Sequence, residues 1–155
     1  MEEPGALPLP LTPPVEPTPL FTDVSGLLNH RHQENNFQDF ERQPLLPKML
    51  SRLGPGVAWY DFDGDGHDDL IIGSGAGGSL AVYRNQGNGT FALVSDENSN
   101  RETTRDQTSV LGWSSVPGQR ELLVGLSNYE DGQSNAPAAL RWGWKGGGTV
   151  AIAPL

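Results

Sequence analysis

From Gly54 onward the apolar residues come in short runs, separated at intervals of roughly 8 to 14 residues by Gly, Asn and Asp. Short antiparallel strands satisfy that pattern, and helices of ordinary length do not. Candidate strands are Gly56–Tyr60, Leu70–Gly73, Leu80–Arg84 and Phe91–Val94. The last two are joined by Asn85-Gln86-Gly87-Asn88-Gly89, whose glycines supply the positive φ of a tight hairpin. In the third strand Leu80 and Val82 point to one face and Ala81 and Tyr83 to the other, so both faces are expected to be covered.

The unit then repeats. Asp69-Leu70-Ile71-Ile72-Gly73 aligns with Glu121-Leu122-Leu123-Val124-Gly125 at an offset of 52, which without gaps also places Gly66 on Gly118 and Ala58 on Val110. Further strands of the copy are expected at Ser109–Trp113, Ala138–Trp142 and Thr149–Ala153, four per unit. Phe21–Ser25 matches Phe91–Ser95 in its Phe, Val and Ser, and is expected to be a stray outer strand. Repeating four-stranded sheets buried on both faces are the blades of a β-propeller, which closes with about four to eight of them. The expected fold is therefore all-β: four-stranded antiparallel meanders forming a partial propeller, with the remaining blades outside this chain.

Composition divides the chain. Seven of the 13 prolines fall in residues 1–20, a segment without apolar periodicity that suits an extended, disordered linker, while 19 of the 20 glycines lie beyond it. Residues 21–55 are expected to hold the stray strand and a long loop; Pro44 and Pro47 interrupt any helix over Glu41–Arg52, so residues 26–53 carry no assignment. The first full blade spans residues 56–100 and the second 101–155. A net charge of −9 repels nucleic acid and anionic lipid. There is no apolar run of membrane-spanning length, and no cysteine for a disulfide, a thiolate metal site or a nucleophile.

Between the first two strands lies Asp61-Phe62-Asp63-Gly64-Asp65-Gly66-His67-Asp68-Asp69. Five carboxylates in nine residues repel one another by on the order of 1 kcal/mol per close pair even in water, and a cation reverses that sign. Calcium takes six to eight hard oxygens at about 2.3–2.6 Å. The loop offers carboxylates at its positions 1, 3, 5 and 9 and a carbonyl at position 7: Asp61, Asp63, Asp65, Asp69 and the carbonyl of His67, with Asp68 facing solvent. Magnesium demands a stricter octahedron, and zinc prefers nitrogen or sulfur. A helical calcium hand would need Glu at position 12, where Ile72 stands between β-like flanks. In the second unit Trp113–Glu121 replaces four of the five acids and puts Arg120 in the place of Asp68; that blade is expected to keep the loop and hold no metal.

The stretch GVAWYDFDGDGHDDLIIGSGAGGSLAVYRNQGNGTF resembles an FG-GAP or VCBS repeat, the calcium-loop blade also found in integrin α-subunit propellers. FTDVS, RQPLLP and GPGVAW together are similar to the VCBS-repeat proteins of the cartilage acidic protein group, which often end in an ASPIC/UnbV domain absent from this sequence. The resemblance implies Ca2+ at Asp61, Asp63, Asp65, His67 and Asp69, a secreted or surface setting, and a protein or glycan ligand for the whole propeller. No export signal is visible at the first residues, a tension that truncation of the chain would ease.

Other motifs have plainer explanations. Gly73–Gly78 matches GxGxxG, but a strand pattern follows where a dinucleotide site needs a helix N-terminus. His30 and His32 lack further zinc ligands, and Trp59, Trp113, Trp142 and Trp144 sit in or beside strands, where core or interblade packing is expected. Asn88-Gly89-Thr90 is a glycosylation sequon. No nucleophile and base can be placed by spacing, so the expected function is a non-enzymatic calcium-stabilised scaffold or recognition module. The alternative is the propeller part of a larger extracellular carbohydrate- or phosphoester-active enzyme.

Overall fold

The computed structural model describes residues 19–145 and 149–154. Most of the proline-rich segment 1–20 therefore lies outside the described residues. Two four-stranded antiparallel meanders make up the fold. The first orders β1 (Val57–Tyr60), β2 (Asp69–Ile72), β3 (Ala81–Asn85) and β4 (Phe91–Leu93); the second orders β5 (Gln107–Val116), β6 (Gln119–Leu126), β7 (Ala139–Lys145) and β8 (Thr149–Pro154). Within each sheet every strand pairs with its neighbour in sequence, so no connection crosses over another strand. Among the described residues no helix is long and apolar enough to cross a membrane.

The core lies between the sheets. Phe62, Ile71, Leu80 and Val82 from the first meet Leu122, Val124 and Trp142 from the second. Ile71 faces this core, whereas Leu123, its counterpart at the offset of 52, points to the opposite side of its sheet from Leu122 and Val124. Equivalent faces thus do not meet: the front of the first sheet packs on the back of the second. Such head-to-tail stacking is how propeller blades pack, and it differs from a sandwich, where like faces oppose. At the junction the Tyr60 hydroxyl donates to the Trp113 carbonyl at 2.6 Å, and a side chain at Gly112 would collide with the Tyr60 ring.

Pairing corrects the gapless alignment by one residue on β5. Tyr60 pairs with Asp69 and Trp113 with Glu121, so Val57 rather than Ala58 is the counterpart of Val110. The expected uncharged copy of the acidic loop is also absent: β5 continues to Val116, and Pro117-Gly118, with φ 82° at the glycine, turns directly into β6. Proline pre-sets the first turn position and glycine accepts the left-handed second. The Ser114 hydroxyl, 2.9 Å from the Val116 carbonyl and 2.8 Å from that of Gln119, ties the turn shut.

Phe21–Ser25 forms no strand. Asp23 accepts both the N–H and the hydroxyl of Ser25 and curls the chain into a 3-10 turn over Ser25–Leu27, which leaves Phe21 and Val24 exposed. Residues 29–53 instead strap the two sheets, with one helical turn, α1 (Asp39–Arg42). His30 Nδ1 meets the Tyr83 hydroxyl at 3.0 Å, and Phe37 and Arg42 pack on Tyr129 beyond β6. The buried Asp39 carboxylate accepts N–H groups from Leu50 and Ser51 and the Ser51 hydroxyl. Burial works to raise its pKa, but these donors prevail and hold it at about 2.

The glycine-rich GxGxxG segment is a crossing point rather than an anion cradle. Gly73 N–H donates to Gly56, Gly75 N–H to Gln33 and Gly77 N–H to Thr103. In return Thr103 N–H reaches Gly78, and Gln107 N–H reaches Ser74. Added Cβ atoms at Gly73, Gly75 and Gly78 would collide with Gln107, Glu34 and Ser74. At Gly73 and Gly75 the carbonyls of Gln107 and Gln33 pass too closely for a side chain, and at Gly78 the space is taken by the side chains of Ser74 and Gln33.

Candidate metal centre

The β1–β2 connection, residues 61–68, is shaped by its own carboxylates. Asp61 accepts the Gly64 N–H at 2.8 Å and the Gly66 N–H at 3.2 Å, Asp63 that of Asp65 at 3.0 Å, and Asp65 that of His67 at 2.9 Å. This is a run of aspartate-capped turns, with Gly64 and Gly66 at φ 88° and 92°. Phe62, fully buried against Trp144 at 5.4 Å between centroids, pins the loop to the core, and its neighbours Asp61 and Asp63 are themselves largely covered. One carboxylate oxygen from each of Asp61, Asp63 and Asp65 lies within 4.8 Å of the others. The His67 N–H holds the Asp65 carboxyl below its ordinary range.

Asp69 stands outside this trio. Its side chain is buried, and its two oxygens accept the Phe62 N–H at 3.0 Å and the Asn85 N–H at 2.9 Å, stitching the start of the loop to the end of β3. Burial raises its pKa, opposed by those two donors. His67 lies exposed, with its ring against Gly87, and Asp68 is exposed as expected.

Sequence reasoning missed two cations that complete the loop. Arg84 on β3 reaches Asp63 through Nε and Asp65 through Nη2, the latter at 3.4 Å. Arg120, from the second sheet, reaches Asp61 at 3.2 Å. Asp63 foremost drives the Arg84 pKa upward. The one available signal was Arg120 itself, a reversed charge at the position of Asp68 in the repeat.

A second cluster was also missed. Glu34, Asp106 and Glu130 come from the strap, the inter-sheet linker and the β6–β7 connection, and their oxygens lie within 4.8 Å of one another. Oε1 of both glutamates is buried with no hydrogen-bond partner among the described residues. Burial raises the pKa of Asp106 and Glu130, and the neighbouring carboxylates add to it. Acids so raised favour folding below their ordinary values of 3.8 and 4.5, and that contribution is lost as pH rises through the folded-state values. Glu130→Gln is therefore expected to raise the melting temperature at pH 7 by a few degrees and to flatten its change between pH 7 and 4.5. Thermal melts in chelator check this, and an unchanged pH profile would contradict it.

The histidines do not converge: His30 meets Tyr83, and His32 pairs with Glu34 at 3.1 Å. Trp142 is buried in the core and Trp144 packs on Phe62, but Trp59 and Trp113 stand largely exposed on the outer faces. A family model described as FG-GAP-like repeat matches residues 30–112, more than half of the chain. No curated protein and no solved structure matches it.

Proposed function

The chain belongs to the FG-GAP-like repeat family, and from that premise we propose that it is a calcium-binding structural or recognition module of a secreted or surface protein, without catalytic activity of its own. The observation that carries this is the convergence of Asp61, Asp63 and Asp65 in a hairpin loop pre-shaped by their own backbone hydrogen bonds. The donor set fits: all hard oxygen, partly held in place, and with no thiolate in the chain. Calcium would be held by these three carboxylates with the His67 carbonyl and Asp69. Bound there it neutralises the loop and cross-links the start of β1–β2 to its end.

At free calcium about 100 times the dissociation constant, mass action adds roughly 2.7 kcal/mol to the folded state. Extracellular millimolar calcium reaches that regime for a weak site, which favours a surface setting. The exposed Val57, Trp59 and Leu93 on one outer face and Leu111 and Trp113 on the other are faces that further blades of the same kind would cover. Asp63→Ala is expected to weaken calcium binding by tenfold or more, by the loss of one charged ligand, and to cut the calcium-dependent rise in melting temperature by half or more. Asp68→Ala is expected to change neither. Calcium titration calorimetry with paired melts in calcium and chelator tests this; equal effects of the two substitutions would overturn the ligand assignment.

A further inference from the structure

The acidic loop is half-neutralised by the protein itself. Asp63 and Asp65 each give one oxygen to a loop N–H and the other to Arg84; Asp61 Oδ2 is shared between the Gly66 N–H and Arg120. Three carboxylates thus face two guanidiniums. Arg120 belongs to the other sheet, and it crosses a cleft of about 240 Å³ lined by Phe62, Asp63, Gly64, Gly118 and Trp144. A side chain at Gly64 would come within 2.9 Å of the Arg120 Nε, so that glycine both takes the turn and leaves the guanidinium its path.

We propose that Arg120 and Arg84 are built-in competitors of the loop's cation, which set its affinity and couple ion uptake to the contact between the two sheets. This rests on the calcium assignment above. A divalent ion entering among Asp61, Asp63 and Asp65 must either displace the guanidiniums from the oxygens they hold or bind with two positive charges beside it. Both routes weaken binding by Coulomb's law. Coupling is reciprocal, so calcium loosens the Arg120–Asp61 bridge by the same factor by which that bridge weakens calcium. The second unit, having lost the acids of its own loop, supplies the first with a regulator in their place.

The test is titration of calcium chloride into the full chain at fixed ionic strength, comparing the unaltered protein with Arg120→Gln, Arg84→Gln and Arg120→Lys, each shown by its melt in chelator to be folded. Removing either charge is expected to tighten the dissociation constant about 3- to 10-fold, with Arg84→Gln at least as effective as Arg120→Gln because it faces two carboxylates. Arg120→Lys, which keeps the charge, is expected to stay near the unaltered value. Uptake by the glutamine variants alone also supports competition. If the unaltered protein binds calcium and Arg120→Gln binds it equally or more weakly, the competition is overturned and the calcium site stands. If neither the unaltered protein nor any variant takes up calcium, both fall.

Discussion

Trp142→Ala is expected to lower the unfolding free energy by about 3–5 kcal/mol, the range of a large aromatic truncated in a packed core. The side chain is 1% exposed, lies on β7 opposite Leu122, and joins the cluster that holds the two sheets together. Truncation opens a cavity in the cluster that it shares with Phe62, Ile71 and Val82. Its indole N–H has no partner among the described residues, a cost that Phe removes. Trp142→Phe is accordingly expected to lose less than about 1.5 kcal/mol. Denaturant unfolding followed by circular dichroism checks both, and a loss below 1 kcal/mol for the alanine variant would mean that the sheets do not meet through this face.

Asp69→Ala has the second largest expected effect, about 2–5 kcal/mol, because it strands two backbone donors, Phe62 N–H and Asn85 N–H, at about 1–3 kcal/mol each. Part of that loss is offset because the buried carboxylate is itself costly, as its raised pKa indicates. Asp69→Asn keeps one acceptor and is expected to fall between. The informative condition is chelator. There Asp63→Ala loses only its half-exposed Arg84 pair and one loop N–H and is expected to melt within a few degrees of the unaltered protein, whereas Asp69→Ala keeps the penalty of its two stranded donors. If the Asp69→Ala penalty also vanished in chelator, Asp69 would act through the metal alone and its stitch between the loop and β3 would contribute nothing.

These contrasts show which parts of the molecule were legible in the sequence. The strands were, because alternation and glycine punctuation act over a few residues, and so was the trio Asp61, Asp63 and Asp65, whose spacing of two lets local turns bring it together. Arg84, Arg120 and the Glu34–Asp106–Glu130 cluster were not, since each depends on which distant segments the fold brings side by side. The one-residue slip on β5 was hidden for a different reason. Leu122-Leu123-Val124 is apolar on both sides of its sheet, so the sequence match is indifferent to register there, and only the shortened turn at Pro117-Gly118 fixes it. At Phe21–Ser25 matching letters misled, because a strand needs an edge to join and Asp23 had already taken the local donors.

The crossing at Gly73–Gly78 governs how the molecule comes apart. A stack of repeats ordinarily frays from its ends, each unit leaning only on the next. Here the strap, the first sheet and the linker to the second are knotted into one backbone junction through Gln33, Gly56, Thr103 and Gln107. Unravelling from the N-terminus has to undo that junction before the first sheet is released, and undoing it also frees the start of β5 at Gln107, so loss of the first sheet loosens the second.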